Sequence, residues 1–439
     1  MGGGSRPDRR GVLTGAAALA AGGWAAATLT GCSQAKSEKA TMQGFSEDGL
    51  ARLREGLVVH LEHGYAPGLV ALVSRGAESR VIMLGAKSFD AGDPMRRDTI
   101  FRIASMTKPV TAAAAMMLIE DGRLKLDEPV DRLLPELARR RVLKRIDGPL
   151  DQTVPAARPI TVEDLLTFRL GLGLVLAPPG SYPIQQRISE LGLVGFGPPD
   201  PAAPDGPDDW MRKLGTLPLM AQPGERWMYN TGSDVLGVLV ARASGQALEA
   251  FFRERIFAPL GMKDTGFSVA PAEIERLASA YRGGADGLVA YDTPAASKWA
   301  RPPPFPAGGS GLVSTADDYL AFARMLLAGG QAGGKRLLSA DSVRAMTMNH
   351  LTPAQRAGGR IVLDEGRGWG YGMAVTVEPN ADLVAPGAYG WTGGLGTSWM
   401  SDPSKDLVAV LLTQRAFDTP KLPAIHADFA KAAYRALTA

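Results

Sequence analysis

Two residue pairs in this chain have the spacing Ser-x-x-Lys, in which a lysine amine can take the proton of a serine hydroxyl. One is Ser105 with Lys108, in the stretch FRIASMTKPVTAAAAMMLIEDG, and the other is Ser33 with Lys36. A lysine surrounded by apolar groups gives up its proton more easily than its ordinary pKa of about 10.4 implies, and it can then act as a base. Both pairs are candidates for nucleophilic catalysis, and their surroundings must distinguish them.

The surroundings of Ser105 predict a junction between a strand and a helix. Residues 99–104 are rich in β-branched and aromatic side chains, whereas residues 109–122 have the composition of a helix closed by glycine. Because Pro109 suits a first helical turn, the helix must begin close to Ser105, where the positive end of its dipole favours an alkoxide. Lys108 then lies one turn later on the same face. A capping serine followed by an unrelated exposed lysine is the alternative.

Two further segments supply candidate partners for this pair. In QPGERWMYNTGSDVLG, Tyr229 follows a turn and precedes an apolar helix. It can act as a general base or acid if the charge of Lys108 lowers its pKa from about 10, although a packed loop tyrosine is the alternative.

In YGWTGGLGTSWMSDPSKDLVAVLLTQ, the WTGG at residues 391–394 is expected to open a strand, with a turn at 402–406 and an antiparallel partner at 407–414. Glycines at a strand edge let a substrate approach, and an N–H there can complete an oxyanion hole.

The N-terminal sequence predicts export and lipid attachment. Arg9 and Arg10 precede an Ala/Gly-rich stretch that ends in LTGC, where Cys32 is the only cysteine of the chain. This resembles a twin-arginine signal over residues 1–32 that ends in a lipobox, with residues 33–43 as a polar tether. We therefore expect a protein exported across the bacterial inner membrane and lipid-anchored in the periplasm or envelope. A permanent signal anchor is the alternative, but so many Ala, Gly and Thr residues make a poor one.

The first Ser-x-x-Lys pair falls in this tether. Ser33 directly follows Cys32, in a charged linker where nothing could desolvate or orient a catalytic pair. We interpret it as a chance match, which leaves Ser105 as the candidate nucleophile.

Composition and spacing argue against several other classes of protein. The 439-residue chain is 45% hydrophobic and carries 48 basic against 45 acidic residues, too even a balance for a nucleic-acid partner. The basic run at 139–145 is expected to be a solvated surface. His60 and His63 lack a third ligand in a recognised spacing, so no metal is expected, and nothing indicates a cofactor. The nearest approach to the G-x-S-x-G motif of an α/β-hydrolase, around Ser268, is incomplete.

With these segments in order, the chain resembles the serine β-lactamase-like superfamily, specifically the class C β-lactamase, DD-peptidase and family VIII carboxylesterase branch. The resemblance covers about residues 44–438 and includes ITVEDLLTFRLGLG (160–173) and FPAGGSGLVSTADDYLAFARMLL (305–327). It implies an α+β fold of the β-lactamase/transpeptidase type. An antiparallel sheet flanked by helices would stand beside a mostly helical second lobe, with the active site in the cleft between them.

The sequence pattern supports this architecture. Hairpins at 68–87 and 397–414 are expected to pair in one sheet, on which helices near 50–61 and 426–437 would pack. The hydrolase domain would occupy residues 44–439. Its α/β lobe is expected at about 44–108 and 305–439, and its helical lobe at about 109–304.

The resemblance also implies residue roles. Ser105 matches the acylated nucleophile, Lys108 the lysine of the S-x-x-K pair, and Tyr229 the tyrosine of the Y-x-N box. The oxyanion hole would be the N–H groups of Ser105 and Gly394. The candidate substrate-binding residues are Asn230, Thr231, Trp391, Thr392 and Gly393.

Three departures from the family pattern concern the substrate. Thr231 occupies the asparagine position of the Y-x-N box, with Asn230 one place early, which puts amide recognition in doubt. Phe168 and Arg169 replace a His-Thr pair of the family segment. We expect this pair of positions to have a packing role. Trp391 replaces the cationic or ionisable residue that helps family members to hold a carboxylate. A neutral ester is then the more natural substrate, unless a basic residue such as Arg169 lines the cleft.

The sequence therefore predicts a serine hydrolase that acts through an acyl-enzyme on a small-molecule ester, with a carboxylesterase favoured. A β-lactamase or DD-peptidase is one alternative, and a non-catalytic envelope-binding protein on the same scaffold is another. The presence of Ser105, Lys108 and Tyr229 together argues against the non-catalytic alternative. The expected membrane contact is through the N-terminal lipid only.

Overall fold

The computed structural model describes Met1 and residues 44–90, 92–175, 177–196, 198–379 and 385–438. The expected signal, the expected lipid attachment at Cys32, the expected tether and the Ser33 pair lie outside these residues. The described residues from 44 onward belong to one compact unit. The division of this unit into an α/β lobe and a helical lobe stays a prediction.

The strands of the main sheet come from both ends of the described chain. They are β1 Gly68–Arg75, β2 Glu78–Gly85, β11 Arg367–Trp369, β12 Ala374–Thr376, β13 Tyr389–Gly393, β14 Thr397–Asp402 and β15 Leu407–Thr413. Short two-stranded ribbons lie between them in sequence: β3 Phe101–Arg102 with β8 Val313–Ser314, β4 Arg141–Leu143 with β5 Thr153–Pro155, β6 Ala280–Gly284 with β7 Gly287–Asp292, and β9 Gln331–Ala332 with β10 Lys335–Arg336.

The α-helices flank this sheet and fill most of the middle of the chain. They are α1 Glu47–Glu62, α2 Thr107–Glu120, α3 Val162–Leu166, α4 Pro183–Glu190, α5 Pro207–Gly215, α6 Thr231–Ser244, α7 Leu248–Phe252, α8 Ala258–Leu260, α9 Ala316–Leu327, α10 Ala340–Met346, α11 Pro353–Gly358 and α12 Ala424–Arg435.

The main sheet is antiparallel, in the order β11-β12-β13-β14-β15-β1-β2. Its central pair joins the two ends of the chain, with Leu69 opposite Thr413 and Arg75 opposite Leu407. The prediction that the N-terminal and C-terminal hairpins share one sheet is therefore confirmed. Both central strands are buried along their whole length because helices cover both faces of the sheet.

The two faces of the sheet belong to different hydrophobic clusters. On one face, Leu69, Ala71 and Val73 pack with Leu53 of α1 and Phe429 of α12. The intervening side chains point to the other face, where Val70 and Leu72 join the main core. This alternation follows from the two-residue period of a strand. It confirms the predicted packing of the first and last helices on the sheet.

The third sequence segment is placed differently from its prediction. Trp391 to Gly393 do not open a strand but end β13, and a turn at residues 394–396 leads into β14. Gly396 has a φ of 102°, which a non-glycine residue rarely adopts, so the chain reverses there. As a result, the segment lies at the end of a strand, beside the helix start that carries Ser105.

Two further properties concern membranes and metals. No single helix among the described residues has both the length and the hydrophobicity of a membrane span, and only the bent pair Thr231–Ser244 and Leu248–Leu260, 80° apart, meets both measures together. Across the described part of the chain, no three His, Cys, Asp or Glu side chains gather as a metal site would require. His60 instead lies 2.9 Å from Asp428.

Candidate active site

Ser105 lies at the junction of a strand and a helix that the sequence predicted. After β3, a short 3₁₀ helix, Ala104–Met106, leads directly into α2. Ala104 has a φ of 42°, a strained conformation for a non-glycine residue. Ser105 is partly exposed, while both of its neighbours are buried. The hydroxyl therefore faces open space at the N-terminal end of a helix, where backbone N–H groups favour negative charge.

The amine of Lys108 is buried directly against this hydroxyl. Nζ lies 2.9 Å from Ser105 Oγ and 2.6 Å from the carbonyl oxygen of Gly309. Burial lowers the pKa of Lys108 from 10.5 to about 7, and the negative charge of Asp234 opposes this shift only in part. Because the Gly309 carbonyl can only accept, it fixes one N–H of the amine. The neutral amine can then turn its lone pair to the hydroxyl of Ser105.

Tyr229 lies beside the Ser105–Lys108 pair. Its hydroxyl is close enough to that of Ser105 for the serine to lower its pKa, and it accepts a 2.9 Å hydrogen bond from Nε1 of Trp391. Nζ of Lys108 lies 4.7 Å from the centroid of the tyrosine ring. Burial nevertheless raises the pKa of Tyr229 above its ordinary value of 10. The expectation that the lysine would lower this pKa is wrong, since desolvation is the larger effect, and the phenol is protonated and suited to donate or relay a proton.

Aromatic rings hold Tyr229 in place. Its ring centroid lies 5.7 Å from those of Phe168 and Trp227, 6.4 Å from that of Trp369 and 5.5 Å from that of Trp391. Phe168 therefore has the packing role expected of it. Trp391 is only 4% exposed, so little of it is available for the substrate binding expected of it. Its main contact is with Tyr229, and its single N–H is already used there.

Asp234 is a site residue that the sequence reasoning missed. Its Oδ1 accepts a 2.8 Å hydrogen bond from the N–H of Gly309, the residue whose carbonyl binds Lys108. Its Oδ2 has no hydrogen-bond partner among the described residues. Burial raises the pKa of Asp234 to about 6, against the lowering effect of Lys108. The sequence did contain a signal for this role, because Asp234 is an acidic residue directly before the apolar stretch of α6.

Glycines bring β13 close to the nucleophile. A Cβ on Gly393 would lie 2.2 Å from the carbonyl oxygen of Ile103, so only glycine allows this approach. Gly394 is exposed and lines the same cavity as Ser105, and the hydrogen bonds of the described residues include none donated by its N–H. The expected oxyanion hole, formed by the N–H groups of Ser105 and Gly394, is compatible with this placement. Gly393 itself does not line the cavity.

Asn230 and Thr231 support a loop more than they face a substrate. Asn230 has a φ of 92°, and its side-chain N–H donates to the carbonyl of Gly195 at 2.7 Å. Thr231 is fully buried, and its hydroxyl donates to the same carbonyl at 3.2 Å. The expected substrate contact of Thr231 is wrong because its side chain does not reach the cavity. Asn230 does border the cavity, but its amide is committed to the loop.

A cavity of about 360 Å³ lies over Ser105. Thr392 and Trp391 line it, whereas Arg169 does not: its Nε donates to Thr167 Oγ1 at 2.8 Å. Among the described residues that line the cavity, the basic one is Arg282, on β6, which the sequence reasoning did not single out. Most of the other lining side chains are apolar, so the site suits an apolar substrate.

The fold and site define the class of this protein. An antiparallel sheet flanked by helices, with a Ser-x-x-Lys pair at a helix start, is the β-lactamase/transpeptidase-like fold. A family model described as Beta-lactamase matches residues 53–433, so the chain belongs to this family of serine hydrolases.

The chain is also similar to individual members. It is 42% identical over 363 residues to Protein Rv1367c of Mycobacterium tuberculosis, covering 81% of this chain and 87% of that protein. It is 33% identical over 373 residues to esterase EstB of Burkholderia gladioli, covering 80% and 86%. Among solved structures, EstCE1, described as a hydrolase with promiscuous acyltransferase activity, is 26% identical with a TM-score of 0.74, covering 88% of this chain and 99% of that one. The LovD6 mutant of simvastatin synthase from Aspergillus terreus is 26% identical with a TM-score of 0.70, covering 90% and 97%.

The buried acid next to the lysine leads to a prediction on pH dependence. The Asp234 carboxylate favours the ammonium form of Lys108, so Asp234→Asn should lower the lysine pKa further. If the neutral amine takes the proton of Ser105, the acidic limb of the kcat/KM–pH profile should move to lower pH. The exposed Asp341→Asn variant serves as the control. An acidic limb that stays in place, or moves to higher pH, would contradict the proposed coupling.

The Trp391 hydrogen bond leads to a second prediction. Trp391→Phe removes the N–H that positions Tyr229 but keeps an aromatic ring, so kcat should fall roughly twofold to tenfold, as for the loss of one neutral hydrogen bond. Trp227→Phe is a matched control, because Trp227 packs on the same tyrosine but its indole N–H has no partner among the described residues. Equal losses in the two variants would show that ring packing matters and the hydrogen bond does not.

Proposed function

We propose that this protein is a carboxylesterase that forms an acyl-enzyme on Ser105. The observation that carries the proposal is the continuous set of contacts from Lys108 through Ser105 and Tyr229 to Trp391 at the base of an apolar cavity. A lysine with a pKa of about 7 is hydrogen-bonded to the hydroxyl of Ser105, and the protonated phenol of Tyr229 is close enough to this hydroxyl to be influenced by it. This arrangement supplies a proton acceptor and a proton donor at one atom.

The geometry supports a two-step reaction. In the first step, Lys108 takes the proton of Ser105 as its oxygen attacks the ester carbonyl, and N–H groups of Ser105 and Gly394 stabilise the oxyanion. The leaving alcohol receives a proton from Tyr229, which regains one from Lys108. In the second step, water enters in place of the alcohol, and the same groups transfer protons in reverse. An alcohol that replaced this water would receive the acyl group instead.

Two observations favour esters over β-lactams and peptides. The position at which family members carry a cation or ionisable residue is Trp391, which has no charge and whose N–H is already bound to Tyr229. The apolar cavity walls can pack an acyl or alcohol group. The names of relatives agree with this choice, since one is esterase EstB and another is the lovastatin esterase of Penicillium rubens, 29% identical over 367 residues.

We further propose that the protein acts in the bacterial envelope. The support is the sequence alone: the paired Arg9 and Arg10, the apolar stretch and the single Cys32 at the end of LTGC. A lipid on Cys32 would anchor the hydrolase to a membrane surface through its tether. The substrate would then be a small molecule that reaches the envelope.

The first prediction for this function concerns the nucleophile and the substrate. Ser105→Ala should abolish labelling by a fluorophosphonate probe with little change in the thermal transition, because Ser105 is small and partly exposed. Wild-type protein should show a higher kcat/KM for 4-nitrophenyl butyrate than for a chromogenic cephalosporin.

Ser268→Ala is the control for this experiment, since Ser268 is the centre of the incomplete G-x-S-x-G segment. It should label as the wild type does. Undiminished labelling of the Ser105 variant would overturn the acyl-enzyme, and a preference for the cephalosporin would overturn the choice of ester.

The second prediction concerns Cys32. Mass spectrometry of protein extracted from the membranes of a native-like host should show an N-terminal Cys32 that carries a diacyl or triacyl modification, because LTGC has the form of a lipobox. Cys32→Ser should leave the signal uncleaved at this site and shift the protein out of the lipidated fraction. An intact, unmodified N-terminus in the wild type would contradict the proposed anchor.

A further inference from the structure

The cavity over Ser105 has large apolar walls. Its walls include Leu174, Pro198, Pro199, Val362, Leu395 and Phe417. Among the described residues that line it, only Arg282 carries a formal charge. A cavity of this kind suits a ligand that is apolar along its length and anionic at one point.

The guanidinium of Arg282 is available to a ligand. The residue is exposed, and within the described parts of the chain its side chain makes neither a hydrogen bond nor an ion pair. The neighbouring cations are engaged, since Arg102 is buried against Asp292 and Arg415 lies 2.7 Å from Asp418. Of the described residues that line the cavity, Arg282 is therefore the cation left for a substrate.

The backbone that carries Arg282 is fixed relative to the cavity wall. The N–H of Tyr281 donates to the carbonyl of Gln414 at 2.7 Å, and the N–H of Ala416 donates to the carbonyl of Tyr281 at 2.8 Å. The hydroxyl of Tyr281 also accepts a 3.1 Å hydrogen bond from the N–H of Phe89. Ala416 lines the cavity, so the guanidinium extends from a strand that is tied to the wall itself.

We propose that Arg282 binds a carboxylate of the substrate, and that the natural substrate is an ester whose apolar body carries one carboxylate. This inference rests on the proposed esterase function and names its substrate class. One guanidinium matches one carboxylate through two parallel hydrogen bonds. A phosphate dianion would call for a second cation, which the described lining residues do not supply.

Arg282 does not stand at the position of the family's carboxylate-binding residue. The family's carboxylate-binding residue corresponds to Trp391 on β13, whereas Arg282 lies on β6, a different ribbon of the fold. Arg282 therefore offers a carboxylate a binding position on a different strand from the one that carries the family's cation. The substrate can lack a charge near its ester and still be an anion.

Two pairs of substrates test this proposal. In the first pair, 4-nitrophenyl hydrogen adipate carries a free carboxylate at the end of its acyl group, and 4-nitrophenyl methyl adipate carries an uncharged methyl ester there. 4-Butyryloxybenzoate and its methyl ester place the corresponding group on the alcohol side. In at least one pair, Arg282→Gln should lower the ratio of kcat/KM for the acid to that for the methyl ester roughly tenfold to a hundredfold, as for the loss of a charge-assisted hydrogen bond. Arg282→Lys should lower it less.

Arg301→Gln is the matched control, because Arg301 is exposed and does not line the cavity, so the ratio should stay at its wild-type value. If Arg282→Gln leaves the ratio unchanged in both pairs, the inference about Arg282 is overturned. The esterase proposal would still stand if hydrolysis depended on Ser105. Hydrolysis of none of the four esters would contradict the esterase. Calorimetric binding of monomethyl adipate, with dimethyl adipate as reference, would then decide the inference: binding lost in Arg282→Gln supports it, and absent or unchanged binding overturns it.

Discussion

The structure of this site depends on one buried contact, in which the amine of Lys108 is held between the hydroxyl of Ser105 and the carbonyl of Gly309. The side chain has no exposure to solvent, so water cannot stabilise its charge. The consequence is a lysine whose pKa is lowered to about 7. The carboxylate of Asp234, which binds the N–H of Gly309, limits the lowering of the lysine pKa. Burial and this negative charge together place the pKa of Lys108 close to neutral pH, where a catalytic base would work.

The fold supplies this contact from distant segments. Ser105 and Lys108 share the start of α2, whereas Gly309 follows some 200 residues later in the sequence and its N–H is fixed by Asp234 on α6. The end of β13 brings Trp391 to the hydroxyl of Tyr229. The sheet that positions β13 contains strands from both ends of the described chain, paired through β1 and β15. The site therefore depends on the complete hydrolase unit.

The sequence predicted those parts of the site that depend on local spacing. The pairing of Ser105 with Lys108 is a matter of one helical turn, and the two hairpins of the sheet follow from strand alternation and turn residues. Contacts between distant segments could not be read in this way. The bond between Trp391 and Tyr229 links residues 162 positions apart, and it gives Trp391 a role in positioning the tyrosine that its residue type alone did not indicate. The charge of Arg282 likewise reaches the cavity only because β6 pairs beside residue 415.

Direct titration of Lys108 tests the central claim most closely. With lysines labelled with ¹³C at Cε, the resonance that disappears in Lys108→Met can be assigned to this residue and followed with pH by NMR. The account predicts a midpoint at about 7, because the amine is desolvated next to Ser105. A midpoint near the ordinary value of 10.5 would show that the lysine stays charged at neutral pH, and it would contradict the role of Lys108 as the base.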